Sequence, residues 1–476
     1  MKIVLTIILA TYNLVAQEVP QDFLSYLIHH DKLDHGKGWE LHTTFGPLRY
    51  QQLTPKENVY DTLNVKYRIG FNGETIDFKN NATIYGELNY TFKKYFYGFL
   101  YYRIVSDPNE KARYSGIPRD ISRFGFSSGE TDLSGMGYEN EWILLQFGRG
   151  RQSWGAGKNI ILAFSDMSAP YEYGMLGLKI NKFRYRFVNG FLETYNNSQR
   201  YLSARGLEYK NNESLFFSLS EIVIYSGKNR SVDIAYLNPV STHLEIELND
   251  KQNRIGTDSG NAVWQASVDF IAKNKFRLSG NFLVDEFAID KSERDMGKDH
   301  GLAYSIRTVY ILPALNIKNI LPFNHSFSLS YIKVNTNTFR HERVSDIITG
   351  EITGYNNFVH RGDPLGWEYG SDGEEVKLGY NFSDHRLFLG SLNIGSRKIG
   401  SNSIIFNPYQ YYTEYTKGPF PSGTVNKTNF LSGQFKLKWK NYLNIYADIE
   451  YCSSNIFDDN YQVKIGFDFF ITNRVL

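Results

Sequence analysis

Between Thr428 and Phe470 the chain alternates apolar and polar residues through three consecutive runs, and few folds accept such runs. In the first, Leu431, Gly433, Phe435, Leu437 and Trp439 fall on one face, and Ser432, Gln434, Lys436 and Lys438 on the other. In the second, Leu443, Ile445, Ala447, Ile449 and Tyr451 alternate with Asn444, Tyr446, Asp448 and Glu450. In the third, Tyr461, Val463, Ile465, Phe467 and Phe469 alternate with Gln462, Lys464, Gly466 and Asp468. Successive side chains of a strand point to opposite faces, so each run is a strand with one apolar and one wet face. Strands of soluble sandwiches usually stop at about 5–6 residues. Runs of about ten residues have the length of a tilted strand that crosses a bilayer. Apolar outward, polar inward and aromatics near the strand ends is the pattern of an outer-membrane barrel.

Composition agrees with that reading. A soluble chain of 476 residues would divide into several domains with helical segments, yet helix-period stretches are almost absent beyond residue 40. The chain holds no apolar run long enough for a transmembrane helix, which needs about twenty residues. A barrel escapes that criterion because half of each strand is polar. A formal net charge of +2 makes no case for nucleic acid. The single cysteine, Cys452, rules out an internal disulfide and a cysteine-based zinc site. The ten histidines show no metal-ligand spacing, and no nucleophile elbow occurs. No metal, no cofactor and no catalytic constellation are therefore expected.

The fold expected is all-β, a transmembrane antiparallel barrel of about 18 strands (16–18) with a short N-terminal periplasmic helical segment. Residues 1–16 read as a signal peptide: Lys2, an apolar stretch from Ile3 to Ala10, and Ala16 before the cut. With the barrel pattern this implies a Gram-negative outer membrane. In residues 17–55, Val19, Phe23, Leu24, Leu27 and Ile28 recur at helical spacing, predicting a periplasmic helix and then an extended lead-in. Residues 56–476 form the barrel. Strands begin with Ile84 to Phe92 and the return through Tyr95 to Val105; 107–135 reads as a loop and Glu139 to Arg149 as one strand. Long polar interruptions occupy 226–261, 288–300, 335–373 and 398–427. The count reaches about 17, and because single-chain barrels have even numbers, one more strand is expected near 44–50 or 230–237. Phe276, Phe282, Phe435, Trp439, Ile445, Phe467 and Phe469 should face lipid; Arg277, Lys436, Asp448, Lys464 and Asp468 should face the lumen.

Three stretches carry a resemblance. The first runs Gly148-Arg149-Gly150-Arg151-Gln152-Ser153-Trp154-Gly155-Ala156-Gly157, then Leu162, Ser165-Asp166 and Ala169-Pro170-Tyr171. The second is Tyr201-Leu202-Ser203-Ala204-Arg205, then Leu219 to Tyr225 and Tyr236-Leu237-Asn238-Pro239. The third is His360-Arg361-Gly362, Pro364-Leu365-Gly366 and Gly370-Ser371-Asp372. Their order resembles the Wzi family of capsule-assembly outer-membrane proteins. The resemblance implies a non-enzymatic lectin-like barrel that helps fix capsular polysaccharide at the cell surface. One departure is the C-terminus, which ends in Val475-Leu476 instead of the Phe usual for such barrels, so the strand Tyr461–Phe470 is the expected assembly signal.

The candidate polysaccharide-binding residues are Arg149, Arg151, Trp154, Glu221, His360, Arg361 and Asp372. A Trp between glycines can offer a flat face to a sugar ring, and Arg can bond hydroxyls or uronates; Trp154 can equally pack inside the barrel, with the arginines paired to Glu141 or Glu221. Glu221 suits either a ligand contact or a lumen ion pair. His360-Arg361 with Asp363 and Asp372 suits a sugar-binding loop or a cap built on turn chemistry. Expected partners are surface polysaccharide, outer-membrane lipid and other outer-membrane proteins. Two other functions fit the same barrel: a porin-like diffusion channel, and a structural subunit of a larger outer-membrane machine. The lumen faces mix Arg184, Arg186, Arg277, Lys436, Lys438 and Lys464 with Glu87, Asp285, Asp448, Glu450 and Asp468, which suits ion-pair lacing better than a selective pore.

Overall fold

The computed structural model describes residues 43–46 and 63–475, apart from residues 94, 112, 121, 212–213, 253–259, 274, 287–290, 292–294, 296–298, 315–323, 342–343, 346–348 and 412–417. The expected leader and the expected periplasmic helix lie outside the described residues.

Eighteen strands form a closed barrel. The first six are β1 (Asn64–Ile76), β2 (Lys79–Phe92), β3 (Phe96–Val105), β4 (Ser128–Glu139), β5 (Ile143–Gly150) and β6 (Tyr171–Ile180). The next six are β7 (Phe183–Tyr195), β8 (Ser198–Lys210), β9 (Leu215–Lys228), β10 (Asn261–Ala272), β11 (Phe276–Glu286) and β12 (Gly301–Ile311). The last six are β13 (Asn324–Val334), β14 (Gly373–Ser383), β15 (Phe388–Gly400), β16 (Val425–Lys440), β17 (Leu443–Ser454) and β18 (Asn460–Val475). Each pairs antiparallel with the next, and β18 returns to β1 with Val475 opposite Val65 and Lys464 opposite Ile76. Closure leaves the sheet without an edge, which is what a strand structure in hydrocarbon requires. An even count also brings both chain ends of the wall to the end that carries the short turns.

The side-chain alternation sorts as read from the sequence. Phe276, Phe282, Phe435, Trp439, Phe467 and Phe469 are exposed on the outer wall, and Ile445 is half-exposed there. Arg277 and Lys436 are buried on the inner face. Lys464 reaches Glu74 at 2.9 Å, and Asp468 accepts the Tyr85 hydroxyl at 2.7 Å, both inside. Arg or Lys at the lipid midplane costs about 2–4 kcal/mol. Phe435→Arg is therefore expected to lower the folded fraction on urea titration in vesicles, while Lys436→Ala leaves it nearly unchanged. Equal losses would mean a one-residue slip of register, which exchanges the two faces.

Two strands escaped the sequence reading. β1 carries the same alternation, with Val65, Tyr67, Ile69 and Phe71 outward. β4 falls in the expected 107–135 loop and in the first part of the expected strand at 139; Asn140 Oδ1 caps the turn by accepting from Trp142 N and Ile143 N at 3.0 and 2.8 Å. Its glycines at 129, 135 and 137, and the register shift opposite Tyr101 and Tyr102, erase the apolar alternation. At the two positions where an extra strand was expected, near 44–50 and 230–237, the described residues are not wall. Phe45–Gly46 is a two-residue strand paired with Ser153–Trp154, and α1 (Ile234–Leu237) is a helical turn.

The long connections do not simply project from the rim. Residues 151–170 fold into the lumen. Asn281 of β11 accepts from Ala156 N at 2.7 Å and donates to the carbonyls of Ala156 and Ile160 at 2.9 and 3.1 Å. Ser305 of β12 also donates to Ile160 O, at 2.6 Å, and Gln265 of β10 donates to Trp154 O at 3.1 Å. Thr44 and Phe45 are held below this loop by Glu208 of β8, whose carboxylate accepts from Thr44 N and Thr44 Oγ1, and by Arg186, which donates to Phe45 O at 3.1 Å. Above it lies the 335–372 connection: Trp367 N donates to Leu162 O at 2.8 Å and Ser165 N to Leu365 O at 2.7 Å. A Cβ at Gly366 would sit 1.7 Å from Leu162 O, so only glycine permits this approach.

The result is a hydrophobic core inside the barrel. Phe45, Trp154, Phe164, Phe339, Phe358 and Trp367 pack with inward wall residues such as Leu202, Ile222, Leu283 and Ile332. The polar-inward rule thus inverts in the long-loop half of the wall, where the inner face meets folded chain and not water.

Candidate functional site

The structure sends the seven candidate residues to different places. Trp154 is wholly buried, with the rings of Phe45 at 4.8 Å and Phe164 at 5.7 Å. A ring with no exposed surface has no face to offer a sugar. Arg151 is buried too. It pairs with Asp132 of β4 at 2.8 Å and donates through Nε to Ser168 O at 2.7 Å. Asp132 also meets Arg103 at 3.2 Å, so Arg151 ties the inward loop to the wall and pairs with neither Glu141 nor Glu221. Asp372 accepts from Ser422 N at 2.8 Å, Ser422 Oγ at 2.7 Å and Thr336 Oγ1 at 2.7 Å. It joins the 335–372 connection to the 401–424 connection.

Glu221 is not in the lumen. Phe217 and Leu219 of β9 are exposed outward, and strand parity places Glu221 on that same outer face. It is nonetheless buried, under α1 and α2 (His243–Leu248) of the 229–260 connection. There it accepts from His243 N at 3.0 Å and Trp264 Nε1 at 3.1 Å, and lies 3.4 Å from Arg205.

His360 is buried against Tyr171 edge to face, with Nε2 3.3 Å from Pro170 O. Burial pushes its pKa down to about 3, so the ring stays neutral and supplies no charge to an acidic ligand.

Arg149 and Arg361 are the two that share an open space. The hairpin Val359–His360 to Asp363–Pro364 turns on Arg361 and Gly362, whose φ values are +52 and +86. Two positive φ angles define the tight turn that strand twist favours. The turn aims Arg361 at the rim, where its Nη1 donates to Ser115 O at 2.7 Å and its backbone N donates to both Glu193 oxygens at 3.1 Å. Arg149 sits near the long-loop end of β5 on the outward parity of Leu145 and Phe147. It pairs with Glu172 directly opposite on β6, at 2.8 Å, and donates to Ser115 Oγ at 2.9 Å. Together with Leu192 and Thr194 these groups line a cleft of about 350 Å³ that also includes Glu172, Phe191 and Glu193.

Glu193 is the residue that sequence reading passed over. Its carboxylate receives Arg200 Nη1 at 2.5 Å, Tyr409 Oη at 2.9 Å and Arg361 N. Beside the cleft, Tyr195 and Tyr409 stack at 3.7 Å and Tyr355 stands edge-on to Tyr195 at 4.9 Å. All three rings are half-exposed. Tyr195 ends a strand at the rim, which was legible, but its two partners come from loops far along the chain. The arrangement offers two guanidinium groups, two carboxylates and aromatic surface within one mouth. Such a set can bind hydroxyls and acidic groups of a saccharide. Among the described residues no group of His, Cys, Asp and Glu is placed to hold a metal ion.

No family model matches the chain, and no curated protein matches it in sequence. Solved structures do match in fold. One is Wzi of Escherichia coli, described as an outer-membrane protein involved in group 1 capsule assembly and a carbohydrate-binding β-barrel. It superposes with a TM-score of 0.57 at 13% identity, over 84% of this chain and 83% of that one. OprD of Pseudomonas aeruginosa matches with a TM-score of 0.46 at 10% identity, over 86% of this chain and 95% of that one. OpdK of the same organism matches with a TM-score of 0.48 at 10% identity, over 86% and 99%. The likeness to Wzi is one of barrel fold.

Proposed function

We propose that this chain is a non-enzymatic outer-membrane barrel, closed to diffusion, that binds surface polysaccharide at its long-loop mouth and helps to hold it at the cell. The observation that carries the reading is the filled lumen: the chain packs a hydrophobic core where a porin keeps water. The short turns then face the periplasm and the long connections the exterior. Support for a saccharide ligand comes from the cleft between Arg149 and Arg361 and the tyrosines beside it. The carbohydrate-binding barrel described for Wzi has a similar fold. A porin role is disfavoured by the packed interior.

A charge-assisted hydrogen bond contributes about 1.5–3 kcal/mol, so affinity for a polymer would rest on several sugars bound at once. Arg149→Ala combined with Arg361→Ala is expected to lower retention of acidic surface polysaccharide about tenfold or more, since about 1.4 kcal/mol is a factor of ten. The amount of folded barrel in the membrane should stay level, because neither side chain belongs to the buried core. Retention unchanged at equal barrel content would remove the binding role and favour the scaffold role.

A further inference from the structure

Among the described residues of the 229–260 connection, the stretch from Asp233 to Asn249 folds over the outside of the wall. Tyr236 of α1 stacks on outward Tyr225 of β9 at 4.4 Å, and Tyr225 on outward Tyr201 of β8 at 5.2 Å. Ser203 of β8 donates to Tyr236 O at 3.0 Å, and the Tyr185 hydroxyl of β7 donates to Pro239 O. The inner face of this hairpin buries Tyr236 and Ile246. Its outer face leaves Ile234, Leu237, Val240, Leu244 and Leu248 exposed, three of them by 76% or more: Ile234 81%, Val240 80% and Leu248 76%.

Depth on the wall says what covers that face. Counted from the short-turn end, the outward positions of β8 run Tyr209, Leu207, Arg205, and those of β9 run Leu215, Phe217, Leu219, Glu221. Outward residues two apart advance about 6.6 Å along a strand. At a tilt of about 40° that is about 5 Å along the barrel axis, so an apolar band about 25 Å tall spans about five outward positions. Arg205 and Glu221 thus lie near the middle of the band, where bare charges would face hydrocarbon. The hairpin covers them, giving Glu221 the amide of His243 at 3.0 Å and Arg205 the carbonyl of Asn238 at 3.5 Å, and its own apolar face continues the belt of Phe217, Leu219 and Trp264 beside it.

We propose that the hairpin from Asp233 to Asn249 is a lipid-contacting part of the barrel: it lies within the outer leaflet, and Val240 and Leu244 touch acyl chains. The wall here is two layers thick, with an Arg205–Glu221 pair sealed between strand and helix. Polar side chains of the hairpin have partners of their own. His243 meets Glu247 at 3.1 Å, and Lys251 meets Glu245. This lowers the cost of holding them near lipid.

The test uses the full chain in phosphatidylcholine vesicles, with Cys452→Ser to remove the native thiol. An environment-sensitive fluorophore is attached at Val240→Cys, and separately at Leu244→Cys. Leu219→Cys serves as the lipid-facing reference, and Phe457→Cys in the β17–β18 turn as the water-facing one. Folding of each variant is checked by its heat-modifiable gel migration, and Leu248→Cys replaces either hairpin site if that one fails to fold. The expected result is loss of emission with doxyl-labelled lipid to the level of Leu219→Cys, with no loss on adding iodide. Iodide quenching at the level of Phe457→Cys would overturn the proposal. Protection from both quenchers would overturn it equally, because a second copy of the chain would then cover the face.

Discussion

Trp154→Ala is expected to leave the eighteen-stranded wall folded and to loosen its filling, at a cost of about 3–5 kcal/mol for the cavity. Trp154 touches no lipid and pairs no wall strand. It is wedged between Phe45 of the N-terminal segment and Phe164 of its own loop. Its backbone N donates to Phe164 O at 2.7 Å, and the next amide donates to Thr44 O at 2.8 Å. Removing the ring therefore takes away the apolar contact between two inserted segments and leaves them joined by backbone hydrogen bonds alone. Hydrogen exchange should speed up across 151–164 and at 43–46, with the amides of β16 to β18 unaffected. Trp154→Phe should restore most of the protection, since much of the volume returns. If exchange rises across the whole wall instead, the filling and the barrel are one cooperative unit.

Arg200→Ala should have an effect of similar size in a different place. The guanidinium of Arg200, on the inner face of β8, is fully buried. It donates to the carbonyls of Tyr355, Asn357 and Val359 at 2.7, 2.6 and 2.8 Å, as well as to Glu193. One planar fork thus fixes a stretch of backbone that leads directly into the turn holding Arg361. Removing one partner of a buried ion pair costs about 3–5 kcal/mol. Limited proteolysis should then cut between Tyr355 and Arg361 in the variant and not in the parent. Arg200→Lys should not rescue it, because an ammonium lacks the planar fork. Resistance equal to the parent would mean that the cap is held chiefly by its apolar contacts.

Alternation made the wall legible. Leu431 to Trp439, Leu443 to Tyr451 and Tyr461 to Phe469 have their faces as expected, because lipid and lumen impose opposite demands on neighbouring residues. Where that contrast vanishes, so does the signal. In Ile222-Val223-Ile224-Tyr225 the run is apolar throughout, since the inserted core covers one face and the hairpin of α1 and α2 the other. A strand buried on both faces reads in this way, and that run was the available sign that Glu221 lies beneath a cover. Trp154, Arg151 and His360 sat in loops whose contacts come from distant parts of the chain, and no period records such contacts. The cleft was half legible. Arg149 and Arg361 were named from their chemistry, whereas Glu193 and Tyr409 join them only through the fold.

Conductance across a planar lipid bilayer tests the central claim most directly, because a filled barrel and a diffusion channel differ there in kind. With the purified full-length protein inserted, the account predicts no steady ohmic current at moderate voltage, and brief openings only after Trp154→Ala loosens the core. Stable, porin-sized current steps from the unaltered protein would contradict it.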